Sequence, residues 1–95
     1  MADEQTRRQY KRTKTLDAGA LARRDALAKK IGDEVKRRRL ALEMSQEDLA
    51  DRADLHANHI SVMERGNVNT TVDALSRVTA ALQMKLSELL GEIGE

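Results

Sequence analysis

Between residues 45 and 66 the inward-facing positions fall into two short helical stripes, Leu49, Ala50 and Ala53 on the first and Ile60, Met63 and Glu64 on the second. Spacings of three and four, not two, mark both segments as amphipathic helices. Only Asp54, Leu55 and His56 separate them. A connection that short, with an apolar residue at its centre to plug the crossing, predicts a helical corner that presents its second helix outward.

Upstream, Leu16, Ala20, Leu27, Ile31 and Val35 share one stripe that begins at Thr15, although Arg23 interrupts it and Gly19 and Gly32 weaken it. The pattern predicts one helix near 16 to 29 and another near 31 to 42, with Gly32 either breaking them or sitting in a continuous rod. Ser45 followed three residues later by Asp48 is a capping arrangement. Gln46, Glu47 and Asp48 then place polar or negative groups at the positive end of the next helix. Beyond Gly66, residues 67 to 70 read as a loop, and Thr70 or Thr71 caps a helix reaching about Leu82 that buries Val72, Leu75, Val78 and Leu82. A last short helix from about Leu86 to Leu90 closes the bundle with Leu86, Leu89 and Leu90. No internal repeat or low-complexity tract is visible.

Ninety-five residues support a single small core. Tyr10 is the one aromatic residue and proline is absent, so that core is built from Leu, Ile, Val, Met and Ala. Few strand formers and 35% charged residues complete an all-α reading. The absence of cysteine excludes a disulfide framework and thiolate metal sites. No apolar run approaches the ~18 residues of a membrane span, and the N-terminus lacks an apolar signal core, so a cytoplasmic location is expected.

A net charge of +1 argues, by itself, against a nucleic-acid binder. Its distribution reverses that inference. Residues 1 to 40 hold thirteen Lys and Arg against six acids, whereas residues 41 to 95 hold four against ten. Such runs are usually solvated helix faces, but here the polarity points to a phosphate-facing N-terminal half. Residues 1 to 14 carry Arg7, Arg8, Lys11, Arg12 and Lys14 with no apolar period, the pattern of a mobile basic arm that follows phosphates or enters a minor groove.

From about residue 31 to 90 the chain resembles the helix-turn-helix domains of the Cro and phage-repressor type, the Xre family. The resemblance rests on Leu42 through Ala50, Ile60 through Gly66, and Asn69 followed by Leu75, Leu82, Leu86 and Leu89. Within that family, Leu55-His56 ahead of Ile60-Ser61 and the run Glu64 through Asn69 look most like the controller proteins of restriction-modification systems. The implied architecture is a five-helix lambda-repressor-like DNA-binding domain at 30–95, preceded by an additional N-terminal helix at 15–29 and the basic arm at 1–14.

The resemblance also implies roles. Ala57, Asn58, Ser61 and Val62 match outward, base-contacting positions of the recognition helix: Asn suits adenine, Ser donates or accepts, and Val or Ala rests on a thymine methyl. Gln46 matches a phosphate clamp at a helix N-terminus, though the same residue is also an ordinary polar first-turn choice. Arg65 matches a backbone-contacting position; Asn67 and Asn69 do likewise or satisfy their own loop. His59 is assigned to a backbone contact or a plain surface role, and His56 to a cap. Arg7, Arg8, Lys11 and Arg12 complete the phosphate-contacting set. Arg39 and Glu64 match a pair that joins two helices across the fold, a structural role.

Other chemistry is poorly supported. His56, His59 and Asp54 lack a fourth metal ligand at suitable spacing, and no nucleophile-base-acid spacing or Gly-rich phosphate loop is present. Neither cofactor nor metal is expected, and a non-enzymatic protein is. A module with so few base-reading side chains needs a second copy, so a homodimer on double-stranded DNA with a palindromic operator follows, its recognition helices ~34 Å apart. Leu86, Leu89, Leu90 and Ile93, with Met84, offer more apolar surface than one short helix hides. Leu86 and Leu89 are assigned to the core and Leu90 and Ile93 to the dimer interface, with Leu16, Ala20 and Leu27 as a second seam. The alternative is an antitoxin or other interaction module that docks a protein partner through residues 1 to 29. Finally, Glu43, Asp54 and Gln83 stand where the family usually has glycine.

Overall fold

The computed structural model describes residues 17–67 and 69–95. The basic arm, with Arg7, Arg8, Lys11 and Arg12, and Leu16 lie outside the described residues. Five helices are present: α1 (Ala18–Ala41), α2 (Gln46–Ala53), α3 (Ala57–Glu64), α4 (Val72–Ala81) and α5 (Leu86–Glu92). There is no strand among the described residues.

The two helices expected upstream of residue 42 are one. Asp17 caps α1 by accepting from the Ala20 amide at 2.6 Å, and the helix then runs 24 residues through Gly32 without a break. Ala, Lys, Arg and Leu favour it almost throughout, and one internal glycine costs only about 1 kcal/mol. Packing explains why glycine is there. Gly32 lies directly against the carbonyl of Met63, with no room for a β-carbon. From Ala28 onward α1 buries Ala28, Ile31, Val35 and Arg39, whereas residues 21–26 are exposed.

Capping and left-handed residues set the other boundaries. In α2 the Ser45 hydroxyl accepts from the Asp48 amide and the Asp48 carboxylate accepts from the Ser45 amide, both at 2.9 Å, a complete capping box. Thr71, not Thr70, caps α4, its hydroxyl accepting from the Ala74 amide at 3.0 Å. His56 occupies the N-cap position of α3 but makes no side-chain capping bond, which corrects the role expected for it. Glu43, Asp54 and Gln83 have φ of 56°, 56° and 61°, the left-handed conformation that favours glycine.

The core gathers Val35, Leu49, Ile60, Met63, Val78, Leu82 and Leu89, each almost fully buried. Leu55 plugs the α2–α3 corner against it. Here α2 packs on both α3 and α4, α1 crosses α3, and α5 closes over α4 and α1. Two apolar assignments are corrected. Val72 is 74% exposed rather than buried; as the first residue of α4 its side chain leans past the turn whose face packs inward. Met84 is buried in the core rather than left over at the surface. Leu89 is buried, and Leu86 and Ile93 pack partly against the core. Leu90 is half-buried.

Candidate nucleic-acid interface

The outward helix is held by one buried ion pair. Arg39, from α1, donates through Nε to Glu64 Oε2 at 2.7 Å and through Nη2 to Glu64 Oε1 at 2.9 Å, a bidentate fork. Its third nitrogen, Nη1, donates to the Met44 carbonyl at 2.8 Å. The two side chains are only 9% and 3% exposed. Bonding to Glu64 raises the Arg39 pKa above its ordinary value, and burial, which opposes this, does not win. The guanidinium thus fastens α1 both to the turn before α2 and to the far end of α3. Two charges in so little solvent are stable because all three guanidinium nitrogens and both carboxylate oxygens are hydrogen-bonded.

Gln46 joins this network. Its amide Nε2 donates to Glu64 Oε1 at 3.1 Å, so the first residue of α2 is tied to the last residue of α3. This orientation leaves the amide oxygen and the backbone N–H groups of Gln46 and Glu47 for other work, in the place where an anion is favoured. Asp48 stands in the same turn, its pKa lowered chiefly by the hydrogen bond from the Ser45 amide, then by the Ser45 hydroxyl.

On α3 itself, Asn58 is exposed, while Ala57, Ser61 and Val62 are half-buried. Ala57 also packs partly against the core, so its contribution outward is one methyl at most. Arg65, just past the helix, is exposed and folds back so that Nε donates to the Ser61 carbonyl at 3.3 Å. His59 is half-buried, and its Nε2 is 3.0 Å from the Thr70 hydroxyl, linking α3 to the loop that follows it. Asn58, His59, Val62, Asn67, Asn69 and Thr70 line one side-open cavity of about 600 Å³. Of the residues assigned to base and backbone contacts, Asn58, His59, Val62, Asn67 and Asn69 therefore share one cleft, and Ala57, Ser61 and Arg65 do not line it.

Some of this was invisible in the sequence. Glycine at 32 read as a weakness of the helix, yet it is where the recognition-type helix meets α1. The His59–Thr70 link and the Gln46–Glu64 bond gave no sequence signal, since both join residues far apart in the chain. Among the described residues no group of three or more His, Cys, Asp or Glu could hold a metal ion, and no helix is long and apolar enough to cross a membrane.

Comparison with known proteins fits this geometry. The helix-turn-helix family model matches residues 35–89. Control protein C.BamHI of Bacillus amyloliquefaciens is 40% identical over 61 residues, covering 63% of this chain and 75% of that protein. The wild-type restriction-modification controller protein C.Esp1396I superposes with a TM-score of 0.65 at 30% identity, over 70% of this chain and 88% of that one. The C.Esp1396I tetramer in complex with its natural 35 base-pair operator gives a TM-score of 0.63 at 32% identity, over 73% and 96% of the two chains.

Proposed function

The chain belongs to the helix-turn-helix family of the Cro and phage-repressor type, and on that footing we propose that it is a restriction-modification controller, a DNA-binding transcriptional regulator acting as a homodimer on a palindromic operator. The observation that carries the reading is the buried Arg39–Glu64 fork, which fixes the pitch of α3 against α1 while leaving Asn58 exposed. A pre-oriented helix loses little freedom on entering a major groove, so its few base contacts convert into affinity.

In this reading Asn58, Ser61, Val62 and the Ala57 methyl meet base edges. Gln46, His59, Arg65, Asn67 and Asn69 meet phosphates on either side, and Arg7, Arg8, Lys11 and Arg12 add contacts from the arm. His59 also acts through position, since its bond to Thr70 ties α3 to the following loop. Leu90 and Ile93, at the C-terminal end, form the seam between protomers. The protein is non-enzymatic, and it works in the cytoplasm, where its DNA is.

Selection of bound duplexes from a random library at physiological salt tests the reading. Enrichment of a palindrome whose half-sites are separated by about one DNA turn, ~10 base pairs centre to centre, is expected. Salt-sensitive binding with no enrichment would overturn sequence-specific control and favour the protein-docking alternative for residues 1 to 29.

A further inference from the structure

The outer half of α1 has no place in the minimal helix-turn-helix unit, whose match begins only at residue 35. It is nevertheless continuous with the packed half, so its faces keep register. Arg24, Ala28, Ile31 and Val35 are spaced i, i+4, i+7 and i+11 and lie on one stripe. The last three are buried. Arg24 therefore carries a positive charge onto the side of α1 that faces the body, at the level where the body ends.

What it meets there is the loop after α3. Gly66, in a positive-φ conformation at 86°, abuts the backbone of Lys29, where a β-carbon would already touch Cα at 3.5 Å. Between this loop and α1 runs a groove of about 300 Å³ lined by Arg24, Asp25, Ala28, Gly66, Asn67 and Asn69. Asn67 and Asn69 are exposed. The Arg24 ion pair with Asp25 is long, 3.7 Å, and both side chains are mostly in solvent, at 63% and 73% exposure. Exposed pairs of this kind hold little energy. The guanidinium can leave Asp25 for a stronger anion at small cost.

We propose that this groove seats a DNA backbone phosphate, with Arg24 supplying the charge and Asn67 and Asn69 the neutral donors. The proposal rests on the reading of the protein as a DNA-binding regulator and gives the helical extension a part in it. A planar guanidinium matches phosphate oxygens in a two-pronged fashion, and side-chain amides from a tight loop are common backbone partners. Asp25 is the opposing element: its carboxylate lies at the groove edge and weakens the site. Arg23, one residue earlier and about 100° around the helix, does not line the groove and has the same charge.

The test uses the full chain and the duplex recovered by selection. Arg24→Ala is expected to lower the slope of log affinity against log salt by about 0.9 per protomer, hence ~1.8 for a dimer, the signature of one lost phosphate contact each. Arg23→Ala leaves that slope nearly unchanged, and Asp25→Asn tightens binding. Ethylation interference supplies the position: one phosphate per half-site weakens the wild type when ethylated but leaves Arg24→Ala binding as it was. Equal slopes for wild type and Arg24→Ala, equal losses for Arg23→Ala and Arg24→Ala, or identical interference patterns would each overturn the proposal and turn the extension toward an acidic protein partner. Absence of any enriched duplex for the wild type would instead remove the underlying reading.

Discussion

Gly32 on α1 and the carbonyl of Met63 on α3 are packed backbone to backbone, with no space for a side chain of any size. Both partners are main chain held in helices, so neither can yield as a flexible side chain would.

Replacing Gly32 with alanine should therefore be destabilising despite alanine's better helix propensity. Propensity alone would favour alanine by about 1 kcal/mol, whereas overpacking a tight contact costs roughly 1–3 kcal/mol and more where backbone must move. A net fall in Tm by calorimetry, with weaker operator binding by the folded fraction, is the expected result. A rise in Tm would show that α1 slides on α3 without penalty.

The Arg39–Glu64 fork predicts an asymmetry between single and double substitutions. Arg39→Ala or Glu64→Ala strands a buried charge and is expected to cost roughly 3–5 kcal/mol in urea unfolding, whereas a joint Arg39→Met, Glu64→Leu replacement recovers most of it. Arg39→Lys recovers little, since an ammonium cannot make the fork to Glu64 and also reach the Met44 carbonyl. Equal losses for single and double variants would mean the pair is not the unit described.

Glu43, Asp54 and Gln83 each hold a left-handed backbone that costs a side-chain-bearing residue on the order of 1 kcal/mol. Glycine at each position should raise Tm by a few degrees, ~4–8 °C per kcal/mol in a domain of this size. The gain is smallest at Asp54, whose carboxylate lies 3.8 Å from Arg77 Nη1. Three unchanged or lower melting temperatures would contradict the assignment of strain.

The capping box of α2 makes stability depend on acid pH. Hydrogen bonds from Ser45 lower the folded-state pKa of Asp48, so its stabilisation is complete above the unfolded value of ~3.9 and is lost as pH falls through the lower folded value. Asp48→Asn should flatten this part of the pH-stability curve below pH ~4. Ser45→Ala should cost about 1 kcal/mol at neutral pH. A wild-type curve that matched Asp48→Asn across this acid range would sink the idea.

Asn58 is the most exposed of the four α3 residues assigned to bases. Asn58→Ala should cost ~1–3 kcal/mol on the selected operator and relax preference at one base pair per half-site, with the salt slope intact. A uniform loss across sequences would instead make Asn58 a backbone contact.

The sequence made the corner at 54–56 and the Ser45 cap legible because each is local: a stripe, a hydroxyl and a carboxylate at fixed offsets. Glu43, Asp54 and Gln83 were legible as positions out of step with a family pattern, and the Arg39–Glu64 pairing likewise came from resemblance, since 25 residues separate the partners. What stayed hidden depends on tertiary contact. Val72 fits the apolar period of α4 and yet sits at its solvent end. Met84 looked surplus and yet is buried in the core. Gly32 could be read as a break or as a tolerated defect, and only the Met63 carbonyl decides between them.

An unbroken α1 crosses α3 at its contact at Gly32. The exposed end at Ala18 lies fourteen residues away, ~21 Å along the axis, and Arg39 lies seven residues the other way, ~10 Å. The rod is therefore a lever with arms of about two to one. Were the rod to turn as one body about that crossing, a 2 Å pull on the outer turns would arrive as about 1 Å at the inner end, where Arg39 is forked to Glu64. For hydrogen bonds of 2.7 and 2.9 Å that is enough to break them. Holding the far end of the helix still is thus a way of keeping the other end on target.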